Sequence, residues 1–74
     1  MGSMERLIKI HSLDATRRRF GTAPRLAEWR GRVLNAKWDP GIQVYRVETQ
    51  YLGRQVVFHV DPADAEEVTP YGSD

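Results

Sequence analysis

The chain has 74 residues, a net charge of +1, 41% apolar side chains and no cysteine. That length holds one domain with a thin core, and the missing thiols exclude disulfides and cysteine-rich zinc sites as staples. The apolar content is too high for a disordered composition, and no apolar run is long enough to span a bilayer.

The small total charge hides a polarity. Residues 1–37 carry nine Lys or Arg against three Asp or Glu, a net of +6; residues 38–74 carry two against seven, a net of −5. A basic first half suits a phosphate backbone or an acidic protein, and an acidic second half repels the former unless it faces elsewhere.

Met1-Gly2-Ser3-Met4 reads as a vector remnant and start, residues 5–68 as one small domain and residues 69–74 as a flexible tail. No secretory segment is visible, so a cytoplasmic location is expected. Leu7-Ile8-Lys9-Ile10 has the β-branched content of a first strand. Ser12 or Asp14 is positioned to cap a short helix through Arg17-Arg18-Arg19, anchored by Phe20 and stopped by Gly21. Thr22-Ala23-Pro24 signals a second helical start, with Leu26, Ala27, Trp29 and Arg30 forming a turn or two before Gly31. A strand over residues 26–34 is the competing reading.

From Gly31 onward alternation dominates. Residues 32–38 place Leu34, Ala36 and Trp38 on one side; Asp39-Pro40-Gly41 makes a turn with Gly41 at the positive φ of a type II geometry. Residues 42–50 alternate again, Leu52-Gly53-Arg54 links tightly, and residues 55–60 put Val56, Phe58 and Val60 on the core face. Asp61 caps a single helical turn with Pro62 at its first position, and Val68 adds a brief last pairing.

Three meandering strands, one helical turn and a short strand, in that order, resemble the end of an SH3-like small barrel. The resemblance covers about residues 26–68. It rests on Trp29-Arg30-Gly31-Arg32-Val33, Asp39-Pro40-Gly41, Gly53-Arg54-Gln55-Val56-Val57-Phe58 and Asp61-Pro62-Ala63-Asp64-Ala65-Glu66-Glu67-Val68. It implies a mainly-β fold: a small SH3-like antiparallel barrel or curled sheet with a short N-terminal helical segment. Its interior would hold Leu34, Ala36, Val47, Val56, Phe58 and Val60, with Trp38, Tyr45, Tyr51 and His59 at the rims. The alternative is a three-stranded sheet packed on an N-terminal helix. The superfold hosts many unrelated functions, so it carries no functional claim.

Candidate binding residues fall into two groups. Arg17, Arg18, Arg19 and Arg25 form the densest basic cluster, extended by Arg30, Arg32 and Lys37; guanidinium groups recognise phosphates and carboxylates in bidentate geometry. Trp29, Trp38 and Tyr45 are the aromatic candidates, since outward rings form grooves for peptides or bases. A solvated helix face and a buried core are the plain alternatives for the two groups. His11 and His59 are the only histidines and lack any metal-ligand spacing, so neither metal nor cofactor is expected. His59 beside Arg46 or Arg54 is the one arrangement that would suit phosphodiester chemistry.

The leading expectation is a small non-catalytic binding or regulatory adaptor module acting through a protein partner, with homo-oligomerisation open. The alternatives are a barrel binding DNA or RNA through the arginine cluster and a small ribonuclease-like enzyme.

Overall fold

Five strands form in the computed structural model, which describes residues 5–68, and β3 and β4 are the ones richest in β-branched and aromatic residues. The chain order is β1 (Glu5–Ile10), α1 (Asp14–Phe20), α2 (Leu26–Trp29), β2 (Val33–Asp39), β3 (Val44–Tyr51), β4 (Arg54–Val60), a 3₁₀ turn (Pro62–Asp64) and β5 (Ala65–Glu67). The remnant read at residues 1–4 and the tail read at residues 69–74 lie outside the described residues. Among the described residues no helix is long and apolar enough to cross a membrane.

The strands form one antiparallel sheet in the order β4-β3-β2-β1-β5. The SH3-like barrel and the curled sheet expected over residues 26–68 are not formed. The sheet is open: β4 and β5 are its two margins, and no ladder joins them. Closure requires the end strands to pair. Here β5 has only three residues, and its ladder is made with β1, where Ile8 stands opposite Glu67 and Ile10 opposite Ala65. The first strand therefore lies inside the sheet, between β2 and β5. Two helices then supply the cover that closure would otherwise have provided. Leu13 ahead of α1 and Trp29 of α2 join Ile8, Ile10, Ala36, Tyr45, Val47, Val60 and Ala65 in one buried cluster. The alternative fold, a three-stranded sheet packed on an N-terminal helix, is also not what forms: the sheet has five strands.

The apolar side of the sheet follows from register, because residues directly opposite one another share a face. Ala36, Val47 and Phe58 form one row across β2, β3 and β4; Trp38, Tyr45 and Val60 form the next. Residues 26–34, readable as helix or strand, contain both: a single turn through Trp29, then β2 from Val33.

Gly21 ends α1 in the left-handed region at φ 81°, its N–H donating to the Arg17 carbonyl at 2.8 Å. The start of α1 departs from expectation. Ser12 Oγ accepts only the Asp14 N–H, at 3.1 Å, and the main acceptor is Asp64 from the far end of the chain. Asp64 Oδ2 accepts the Thr16 N–H at 2.7 Å and the Thr16 hydroxyl at 2.6 Å, and Oδ1 accepts the Ala15 N–H at 3.2 Å. The Thr16 hydroxyl in turn accepts the Asp61 N–H at 2.9 Å, so its donor and acceptor capacity are both used.

The β2–β3 connection also departs from the expected turn. Asp39 Oδ1 accepts the Gly41 N–H at 2.9 Å, and the positive φ falls on Gln43, at 57°, rather than on Gly41. Arg19 holds this loop from outside, donating to the carbonyls of Ile42 and Gln43 and pairing with Asp61 at 2.9 Å. Gln43 gives Arg19 only its backbone oxygen, so a glycine there keeps the clamp and removes the left-handed strain. Gln43→Gly is expected to raise the urea midpoint by an increment worth about 0.5–1 kcal/mol.

Candidate docking surface

The hairpin β3–β4 closes through Leu52 and Gly53, both at positive φ (53° and 76°) as a type I′ turn requires. Such a tight turn makes Tyr51 and Arg54 the closing hydrogen-bonded pair. Residues 54, 56, 58 and 60 then direct their N–H and C=O groups at β3, and Gln55, Val57 and His59 direct theirs away from the sheet. All three of these are exposed, and among the described residues β4 has no strand neighbour on that side.

Two hollows run along this free side. One of about 470 Å³ lies between β4, α1 and the α1–α2 connection, walled by Phe20, Ala23, Pro24, Phe58 and His59. The other, of about 510 Å³, lies at the hairpin end against Tyr51, Leu52 and Arg54. Val56 and Val57 line both, so the two adjoin at the middle of the strand. Three exposed apolar side chains mark the same line: Leu52 at 83%, Val57 at 48% and Phe20 at 38% exposure. Phe20 is held there by stacking on His59, with ring centroids 5.5 Å apart. The hint in the sequence was Val57, which breaks the alternation of β4 by placing a valine on its solvent side.

The structure distributes the candidate residues instead of gathering them. Arg17 pairs with Asp14 at 3.8 Å, and Arg19 is occupied by the β2–β3 loop. Arg18, Arg25 and Arg30 are exposed. Arg32 lies over the rings of Trp29 and Tyr51, 5.4 Å from each centroid. Lys37 stands opposite Glu5 and Arg46, on the sheet face away from the core. Trp29 is a core residue, 2% exposed, with the rings of Tyr51 and Phe58 each 5.0 Å away. Trp38 is half-buried, packed 4.9 Å from Tyr45.

Tyr45 is buried instead of standing at a rim, and its hydroxyl donates to Glu67 Oε2 at 2.9 Å, a carboxylate that also lies 3.6 Å from Arg6 Nε. Burial, the donated hydrogen bond and the Glu67 charge push the phenol up to about 12. A group raised in this way contributes stability that is complete below its unfolded value near 10 and is lost as pH rises through about 12. An alkaline titration followed by tyrosinate absorbance is expected to show one tyrosine ionising late, and Tyr45→Phe is expected to remove that step.

His59 and Arg46 are cross-strand partners, as phosphodiester chemistry would ask. They nevertheless line different hollows, Arg46 Nε is paired with Glu48 at 2.9 Å, and His59 is stacked on Phe20. Among the described residues no three His, Asp or Glu side chains cluster as metal ligands would. No protein-family model, curated protein or solved structure matches the chain.

Proposed function

We propose that this chain is a non-catalytic protein-interaction module that docks an extended segment of a partner protein along β4. The observation that carries this is the margin of β4, seven residues long and unpaired among the described residues, flanked by two adjoining apolar hollows and by exposed Leu52, Val57 and Phe20. An added strand gains affinity from main-chain hydrogen bonds and specificity from pockets for alternate side chains.

The contrast between the two margins supports the reading. Sheet margins are ordinarily blunted by shortness, charge or proline. β5 is blunted in this way: three residues, two of them Glu. β4 is long, lacks proline and carries one formal charge at neutral pH, Arg54. Leu52 adds a second argument. A left-handed conformation costs a residue with a Cβ about 1–2 kcal/mol, and at 83% exposure Leu52 recovers little of that by packing. Such a residue fits a contact made with a partner.

The test is selection of peptides from a displayed random library, followed by mapping of the selected peptides with amide NMR shifts. Shifts centred on residues 54–59 and Phe20 are expected. Val57→Pro, which removes one outward N–H and leaves the ladder to β3 intact, is expected to abolish binding. Leu52→Asn is expected to weaken binding while stabilising the fold by about 0.5–1 kcal/mol, because Asn suits the turn. Selected peptides that map elsewhere, or that bind the folded Val57→Pro variant equally well, would overturn the reading.

A further inference from the structure

We infer that the strand docking on β4 is the β4 of a second copy of this chain, antiparallel to the first about a two-fold axis at Val57. The inference rests on the docking reading above and names the partner.

The main chain selects the register. Gln55, Val57 and His59 direct their N–H and C=O groups away from β3, and in an antiparallel pair each must meet a residue of the same kind. With Val57 opposite Val57, Gln55 of each copy stands opposite His59 of the other, so all three outward residues form hydrogen-bonded pairs. Sliding the second copy until Val57 meets His59 sets Gln55 against Asp61, whose N–H already donates to the Thr16 hydroxyl at 2.9 Å. Sliding it the other way sets His59 against Gly53, inside the turn.

The side chains agree with this register, because opposite residues share a face. On the face away from the core, Val57 meets Val57 at the centre, and the imidazole of His59 meets the carboxamide of Gln55 on either side. On the core face, Val56 and Phe58, both half-buried in one copy, stand opposite Phe58 and Val56 of the other. An apolar centre with a polar rim results. The exposed Leu52 of each hairpin comes to the end of the margin where Phe20 is stacked on His59 in the other copy.

Within this ladder no like charges meet. Arg54, the one formal charge of β4 at neutral pH, stands opposite Val60, at the end where Asp61 and Arg19 pair with each other. Glu48, the neighbour of Val57 on β3, is separated from its counterpart by the two β4 strands, about 14 Å at about 4.8 Å per strand and beyond the screening length at physiological salt. A strand-to-strand contact of this length is a small interface, under about 1,200 Å² in all, which sets the affinity in the micromolar range.

Sedimentation equilibrium and amide shifts through a dilution series from about 1 mM to about 1 µM test this. A monomer–dimer equilibrium with a dissociation constant of about 10 µM is expected, with shifts centred on residues 54–59 and a melting temperature that rises with protein concentration. Val57→Pro is expected to be a folded monomer. Gln55→Glu with His59→Glu, and Gln55→Lys with His59→Lys, each set like charges opposite one another. Each double variant is expected to be monomeric alone and to form a heterodimer when the two are mixed. Val57→Asp mixed with Val57→Lys serves in the same way if a double variant does not fold. A chain that stays monomeric at about 1 mM overturns the second copy, and docking on β4 stands if library-selected peptides still shift residues 54–59. If neither a second copy nor any peptide shifts those residues, both readings fall. A dimer that persists in folded Val57→Pro, or charge variants that do not pair when mixed, overturns the inference.

Discussion

Asp64→Ala is expected to destabilise the fold by about 3 kcal/mol, a large part of the total for a domain of this size. The carboxylate is buried at 2% exposure and accepts from two backbone N–H groups and one hydroxyl of α1. Its removal leaves the first turn of α1 without its acceptor, and water cannot replace that acceptor in the buried site. Thr16→Val is expected to cost about 1–3 kcal/mol, since Asp64 loses a donor and the Asp61 N–H loses its acceptor.

The same carboxylate sets a pH dependence. Burial pushes its pKa up, but hydrogen bonds from the Thr16 hydroxyl, the N–H groups of Thr16 and Ala15, and Ser12 together outweigh burial and hold the group below its ordinary value. A depressed carboxylate contributes stability that is present above its unfolded value and is lost as pH falls through the folded one. Urea midpoints of the wild type are therefore expected to fall as pH drops below about 4. Asp64→Asn is expected to be less stable at neutral pH and to lack that part of the acid decline. Parallel acid profiles for the two proteins would refute this role.

Trp29→Ala is expected to cost about 3–5 kcal/mol, enough to leave a substantial unfolded population at room temperature. The indole fills the space between α2 and the sheet, against Tyr51 and Phe58, and is capped by Arg32. Trp29→Phe keeps most of that contact and is expected to fold with a loss of about 1–2 kcal/mol. Circular dichroism through a urea gradient separates the two cases. A Trp29→Ala protein within about 1 kcal/mol of wild type would mean that Trp29 is not the central packing residue its burial indicates. The phenylalanine variant also isolates docking from folding: Tyr51 and Phe58 wall the β4 hollows, so peptide binding should survive if their positions hold.

Legibility followed the range of the interactions. Asp61 as a cap, Pro62 at the first position, the stop at Gly21 and the tight link at Leu52-Gly53 were readable because each depends on neighbours within a few residues. The alternation of residues 55–60 correctly assigned Val60 to the core, and Phe58 and Val56 pack against it. Trp29 and Tyr45 stood among the binding candidates because an aromatic side chain in a short sequence looks the same whether it faces a partner or a core. The β4 margin is not legible in the sequence, because a strand pattern does not state which of its two sides will be paired.

By itself, the sequence determined the three meandering strands, the cap at Asp61, the stop at Gly21, the tight link at Leu52-Gly53 and the polarity of charge, all of which arise from local sterics and side-chain chemistry. The tertiary structure alone decided four things: that β1 lies between β2 and β5, that the sheet stays open, that Asp64 anchors α1, and that β4 is left free. These depend on pairings between segments as far apart as Thr16 and Asp64, 48 positions in the chain. Which distant segments meet is set by the competition to bury the same apolar face, and no local pattern encodes its outcome.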